Sequence, residues 1–343
     1  MILGIESSCD DTAAALLGGD GRILTSVVSS QLAAHRPWGG VVPEIASREH
    51  LGNWPDVVGV LQEETGTELE DVGLVAATRG PGLVGSLLVG LSLGKALAYA
   101  LQRPFYAVHH LAGHLFSPFL SVDGDPADPR PSEFVGLVVS GGHTNLFRVR
   151  ETEVETLAET RDDAMGEVFD KVGKRLGLPY PQGPVVDRLA ETGDPGGFDL
   201  PVPRSGDPPF FSYSGLKSAT LRELEMLERE GLTWDPDDPP PVLRDLLASF
   251  RAAAVDQLLD RVDALHRSRP IGCLAVSGGV AANRELRRRL DGWAHERGVD
   301  LRLVAPALSG DNAAMIAFAA LLRRLRGDAP DPWSVEALSR VGL

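Results

Sequence analysis

Two short apolar runs, residues 2–5 and 12–17, flank the polar turn Glu6-Ser7-Ser8-Cys9-Asp10-Asp11. The plan recurs about 130 residues later, where 134–139 and 145–149 flank Ser140-Gly141-Gly142-His143-Thr144. Two strand–turn–strand units at that distance point to a duplicated lobe. A third apolar run, 271–276, leads through Ser277-Gly278-Gly279-Val280 into a helical pattern over 281–290 that carries Asn283 in its first turn. Further helical patterns over 85–101, 243–267 and 313–326 alternate with the strands, so the expected class is α/β with sheets covered by helices. The last helix follows the second lobe and is expected to cross back onto the first.

With 343 residues the chain has room for about two lobes. Cys9 and Cys273 are too few and too far apart for a disulfide framework or a zinc ribbon, which fits a reducing compartment. The opening Ile2-Leu3-Gly4-Ile5-Glu6 lacks the basic-then-apolar pattern of an export signal. The glycine-rich run 80–94 falls short of the roughly 18 uncharged apolar residues of a spanning helix. A cytoplasmic protein without membrane contact is therefore expected. With 33 basic against 48 acidic residues, a net charge of −15 argues against a wide basic face gripping nucleic acid, although a local basic strip remains compatible.

His110 and His114 stand four apart on an expected helix after Val108, which places both imidazoles on one face as candidate ligands for a transition metal. A zinc protease would need a glutamate between them as general base, but Leu111, Ala112 and Gly113 fill those positions. Asp311 is an attractive third ligand; its alternative role is to cap the following helix. Glycines after buried strands let backbone N–H groups approach a phosphate. In the acidic run 162–170, Asp170 follows an apolar pair and is expected to point inward, ahead of the rigid loop Tyr180-Pro181-Gln182-Gly183-Pro184 and of Asp187. Ser86, Gly90 and Gly94 make one helix face nearly flat, suited to internal packing or to a subunit interface. Phe210-Phe211-Ser212-Tyr213 suits base stacking or a core.

Taken together and in order along nearly the whole chain, these segments resemble the bacterial tRNA adenosine threonylcarbamoyltransferase family, formerly described as O-sialoglycoprotein endopeptidases. Matching stretches include residues 4–12, Gly39-Gly40-Val41-Val42-Pro43-Glu44, Gly80-Pro81-Gly82-Leu83-Val84-Gly85, the His110/His114 segment, 140–144, 163–171, 211–217, 278–283 and 311–315. The resemblance implies a two-lobed actin-like ATPase fold of the ribonuclease H-like type. Its N-terminal lobe would span 1–130, joined by a C-terminal helix over about 312–343; its C-terminal lobe would span 131–311, with the substrate site between lobes. It implies transfer of a threonylcarbamoyl group from threonylcarbamoyl-adenylate to the exocyclic amine of the adenosine 3′ to the anticodon, in tRNAs reading ANN codons, with release of AMP.

By the same resemblance, His110, His114 and Asp311 hold one divalent metal, iron foremost, with zinc or manganese as alternatives. Val138, Val139, Ser140, Gly141, Gly142, Asp170, Gly183, Asp187 and Asn283 contact an adenylate or ATP-like nucleotide. Asp10 or Asp11 is the candidate base for the attacking amine; the family pattern has Asp-Glu there, so the second acid is one methylene shorter here. The resemblance also implies an inactive paralogue and a small P-loop ATPase as partners, in line with an acidic subunit that needs help to hold tRNA. The Ser86/Gly90/Gly94 face is the expected pairing surface. The competing functions are an actin-fold small-molecule kinase, which would use oxygen-held Mg²⁺ rather than a histidine pair, and a metalloprotease.

Overall fold

A computed structural model describes residues 1–343 apart from Thr152, Arg204, Ser205, Asp207 and Pro208. The last four fall in the stretch 193–209, whose many glycines and prolines predict a surface loop, so that part of it lies outside the described residues. Internal contacts divide the chain into two compact units, 1–130 with 304–343, and 131–303.

In the first unit β1 (Ile2–Glu6), β2 (Asp11–Leu17), β3 (Ile23–Ser30), β4 (Leu74–Gly80) and β5 (Phe105–His109) form one sheet in the order β3-β2-β1-β4-β5. The first three strands run antiparallel, and β4 and β5 run parallel to β1. Its inner strands are apolar on both faces and buried, as a sheet covered on both sides requires. The helices are α1 (Leu32–His35), α2 (Pro43–Thr65), α3 (Val84–Ala100) and α4 (His110–Phe116). Leu3 and Ile5 of β1 share a core with Trp54, Val57 and Leu61 of α2 and Leu91 and Ala98 of α3.

In the second unit β6 (Glu133–Val139), β7 (Thr144–Arg150), β8 (Glu153–Glu159), β9 (Cys273–Ser277) and β10 (Asp300–Leu303) form a sheet in the order β10-β9-β6-β7-β8. Again three strands are antiparallel in sequence, and two more follow parallel to the first. The two sheets therefore share one topology, as the repeated strand–turn–strand unit predicts. The accompanying helices are α5 (Met165–Arg175), α6 (Gln182–Ala190), α7 (Ser214–Arg229), α8 (Pro241–Ser268) and α9 (Arg284–Arg297).

The chain then returns to the first unit with α10 (Ala313–Arg326). Residues 313–321 are all buried, as a helix apolar on every side must be. α10 lies on the face of β1 opposite the α2/α3 core, and Gly4 makes this possible: a Cβ there would overlap the carbonyl oxygen of Ala313. Among the described residues, no helix is long and apolar enough to cross a membrane.

Two expectations are corrected. The Ser86/Gly90/Gly94 face is internal: the Ser7 hydroxyl donates to the Ser86 carbonyl at 2.8 Å, and a Cβ on Gly94 would lie 2.9 Å from the Ala77 Cβ. Small residues seat α3 on its own sheet and present nothing to a partner. Of the two roles open to the 210–213 segment, the core is the one that Phe211 and Tyr213 fill, both fully buried in the second unit. Asn283 precedes its helix, capping α9 by accepting from the Leu286 N–H at 2.8 Å, because residues 279–282 first make a tight 3₁₀ turn.

Candidate functional site

The apolar strand β5 ends at His109, whose Nδ1 accepts from the Leu111 N–H at 3.1 Å while its Nε2 donates to the Val341 carbonyl at 3.1 Å. His109 thus caps α4, and the next residues carry the chemistry. His110 and His114 project from one face of α4, with ring centroids 4.8 Å apart and planes at 90°. Asp311 reaches them from just before α10: its Oδ1 lies 3.1 Å from His114 Nε2 and 3.5 Å from His110 Nε2. One ligand atom from each of the three residues falls within 4.8 Å of the others. The cap of α10 is Asn312, whose Oδ1 accepts from the Met315 N–H at 3.0 Å, so the capping role open to Asp311 in the sequence belongs to its neighbour.

Behind His110 stands Glu6, the last residue of β1, with no solvent exposure. Its Oε2 accepts from the Thr78 hydroxyl at 2.6 Å and from His110 Nδ1 at 3.1 Å, and its Oε1 accepts from the Ser8 amide at 2.5 Å. Burial opposes the charge of His110, but the carboxylates of Asp311 and Glu6 outweigh it and hold the imidazolium up to about 9. The centre is thus built for positive charge. Two imidazole nitrogens and a carboxylate oxygen form a donor set suited to a divalent transition metal, which would take the place of that proton. The buried Nδ1 of His114 has no hydrogen-bond partner among the described residues.

Asp10 and Asp11 lie at the β1–β2 turn, with Asp11 opening β2 opposite Ser30. Burial lifts Asp11 to about 7, aided by the charge of Asp311 and partly opposed by a hydrogen bond with Ser30.

In the second unit, Gly141, Asp170, Gly183, Asp187 and Asn283 line one cavity of about 310 Å³, together with Phe169, Pro181 and the turn Gly279–Ala282. Asp170 accepts from the Gly183 amide at 2.8 Å, as its inward position requires. Asp187 Oδ1 is held by Asn283 Nδ2 at 2.7 Å and Arg251 at 2.9 Å, while its Oδ2 has one long contact, 3.5 Å from the Arg284 amide. Ser140 and Gly142 belong to the adjoining β6–β7 turn but do not line the cavity, and the side chains of Val138 and Val139 are wholly inside the sheet.

Sequence reasoning missed Glu6, because the last residue of a strand and the first of a polar turn look alike; its place on the Ile2/Gly4 side of an alternating strand was the available signal. It also missed Arg251, 64 positions from its partner Asp187, since long-range ion pairs leave no local pattern.

Solved structures with a similar fold include full-length HypF in a phosphate- and nucleotide-bound form, with a TM-score of 0.60, 13% identity and coverage of 96% of this chain and 56% of that one. Component A of (R)-2-hydroxyglutaryl-CoA dehydratase from Acidaminococcus fermentans aligns with a TM-score of 0.54 and 14% identity, over 95% of this chain and 98% of that one. At such identities the likeness concerns fold alone: this is an α/β protein of the two-lobed actin-like ATPase type, here carrying a His–His–Asp cluster. The family model for tRNA N6-adenosine threonylcarbamoyltransferase matches residues 22–318. Curated relatives of that name from Pelobacter propionicus and Burkholderia vietnamiensis are 48% and 47% identical, over 92% and 94% of this chain and 90% and 92% of theirs. The chain belongs to the tRNA N6-adenosine threonylcarbamoyltransferase family, and is a transferase of tRNA modification.

Proposed function

We propose that the chain moves a threonylcarbamoyl group from threonylcarbamoyl-adenylate to the exocyclic amine of the adenosine 3′ to the anticodon in tRNAs reading ANN codons, and that His110, His114 and Asp311 hold the metal that assists. The convergence of these three side chains carries the proposal. Iron is the first candidate, with zinc or manganese as alternatives, because His₂Asp suits all three. A divalent cation held there would supply Lewis acidity for the transfer.

In the transfer, the amine nitrogen forms a bond to the carbamoyl carbon, and the bond from that carbon to the phosphate oxygen breaks. AMP leaves with the electron pair. The amine must lose a proton as its bond forms, and Asp11, poised near neutrality, is the base best matched to that task, with Asp10 beside it. The cavity lined by Gly141, Asp170, Gly183, Asp187 and Asn283 takes the adenylate, whose ribose hydroxyls suit carboxylate acceptors. Backbone of the Ser140-Gly141-Gly142 turn supplies donors to the phosphate, through Gly141 and Gly142, because the Ser140 N–H donates to the His143 carbonyl at 2.8 Å. Asn283 acts by holding Asp187 in place. Family membership supports an inactive paralogue and a small P-loop ATPase as partners, and the net charge of −15 fits a subunit that needs help to hold tRNA, in the cytoplasm.

The test combines anaerobically purified, metal-loaded protein with synthetic threonylcarbamoyl-adenylate and unmodified tRNA, with and without the two partner subunits, and looks for the modified nucleoside by mass spectrometry. Product that vanishes with His110→Ala is the expected result. No product in any combination from folded, loaded protein overturns the proposal.

A further inference from the structure

We infer that Glu6 is a positioning residue that fixes the tautomer of His110, so that Nε2 is the nitrogen offered to the metal. The inference rests on the metal centre proposed above and extends it to a residue with no place of its own in the ligand set. Glu6 is fully buried at the end of β1, and both of its oxygens are accepting: Oε1 from the Ser8 amide, Oε2 from the Thr78 hydroxyl and from His110 Nδ1. The Ser8 amide and the Thr78 hydroxyl pin the carboxylate independently of the histidine. The Ser8 hydroxyl, 3.2 Å from the same Nδ1, is a second acceptor for its proton. An imidazole that donates from Nδ1 presents its lone pair at Nε2, and Nε2 is the atom facing Asp311 at 3.5 Å. A carboxylate behind a ligating histidine also raises its basicity, and loss of such a partner typically lowers metal affinity by about 10–100-fold.

Glu6→Gln isolates this effect. The amide keeps the shape of the side chain but has one acceptor oxygen where two are needed. With its oxygen kept on the Ser8 amide, its NH₂ faces His110 Nδ1 and donates to it, which moves the imidazole proton to Nε2 and removes the lone pair from the metal. Glu6→Asp keeps two acceptors on a shorter arm.

The experiment measures metal dissociation constants of the full-length protein, with zinc and a competing chelator, for wild type, Glu6→Gln, Glu6→Asp and His110→Ala. Imidazole ¹⁵N–¹H correlations of the zinc-loaded proteins are recorded alongside. The expected result is an affinity about 10–100-fold weaker in Glu6→Gln, partly restored in Glu6→Asp, with a hydrogen-bonded Nδ1 proton on His110 in wild type. Equal affinities in wild type and Glu6→Gln overturn the inference, as does an Asp variant as weak as the Gln variant. Should Glu6→Gln fail to fold, the wild-type spectrum decides: an Nδ1 of His110 without a proton overturns it. If wild type itself binds no zinc, or binds it as tightly without His110, the metal centre fails and this inference falls with it.

Discussion

Asn312 caps helix α10, and Asp311, one residue earlier, turns to the two histidines of α4. Adjacent short polar side chains thus divide helix initiation from the proposed ligation, and substitution separates the two. Asn312→Ala should lower stability by about 1 kcal/mol in thermal unfolding. Asp311→Asn should leave unfolding nearly unchanged while emptying the metal site in elemental analysis. Full metal content in the second variant would remove Asp311 from the ligand set.

Asp11 sits at about 7 chiefly through burial, with the Asp311 charge as the next cause. A base works only when ionised, so transfer measured at saturating adenylate should climb as pH rises toward neutrality and level off above it. A cation bound at Asp311 offsets that residue's repulsion, which places the inflection of the loaded enzyme at or below about 7. Asp11→Asn should lower the rate by about 10²–10⁴ and flatten the profile. An undiminished rate would transfer the role to Asp10.

Asp170 holds the Gly183 amide in the wall of the cavity proposed to take the adenylate. Asp170→Ala removes a charged acceptor and leaves that amide unpaired, a loss of about 1.5–3 kcal/mol. Calorimetric titration with a non-hydrolysable adenylate analogue should show binding weaker by about tenfold or more, with zinc affinity untouched. A parallel loss of zinc would point to general damage instead.

Gly90 packs against Ser7 and Ile5 inside the first unit, where a Cβ would lie 3.0 Å from the Ser7 Cβ and 3.4 Å from Ile5 Cγ2. Gly90→Leu should therefore destabilise the protein alone, by about 1–3 kcal/mol in denaturant titration. A variant that unfolds like wild type yet loses a partner would restore the interface interpretation rejected above.

Burial pushes the Asp163 carboxyl up, but hydrogen bonds and charge from Lys171 at 2.6 Å and Lys217 at 2.5 Å prevail and hold it below its ordinary value near 3.8. A group depressed in the folded state stabilises above its unfolded value and loses that contribution as pH falls through the folded one. Melting temperatures of wild type and Asp163→Asn should differ near neutral pH and converge in acid. A constant difference would mean the ion pairs contribute nothing.

Much of this was legible locally. The apolar run before the first polar turn appears as β1, and the patterns over 85–101, 243–267 and 313–326 appear as α3, α8 and α10 within two residues at either end. The spacing of His110 and His114 put two of the clustered side chains on one face. Asp170 turned inward, as its apolar neighbours indicated. What stayed hidden depends on contacts distant in sequence: Glu6 matters because of Thr78 and His110, and Asp187 is oriented by Arg251 and Asn283. The Ser86/Gly90/Gly94 stripe misled for a related reason. Small residues announce close approach, but only the three-dimensional arrangement says that the approaching surface is the chain's own sheet. The edge strands β3 and β8 escaped notice because each is buried on one side only and carries a diluted pattern.

The common topology of the two sheets sets two turns at matching places. The β1–β2 turn carries Cys9, Asp10 and Asp11; the equivalent β6–β7 turn carries Ser140, Gly141 and Gly142. The first turn gathers negative charge, and the second strips side chains away until little but backbone amide remains. Matching places in one topology thus offer opposite chemistry, acidic side chains at the first turn and bare backbone amide at the second, on a scaffold that is the same beneath both.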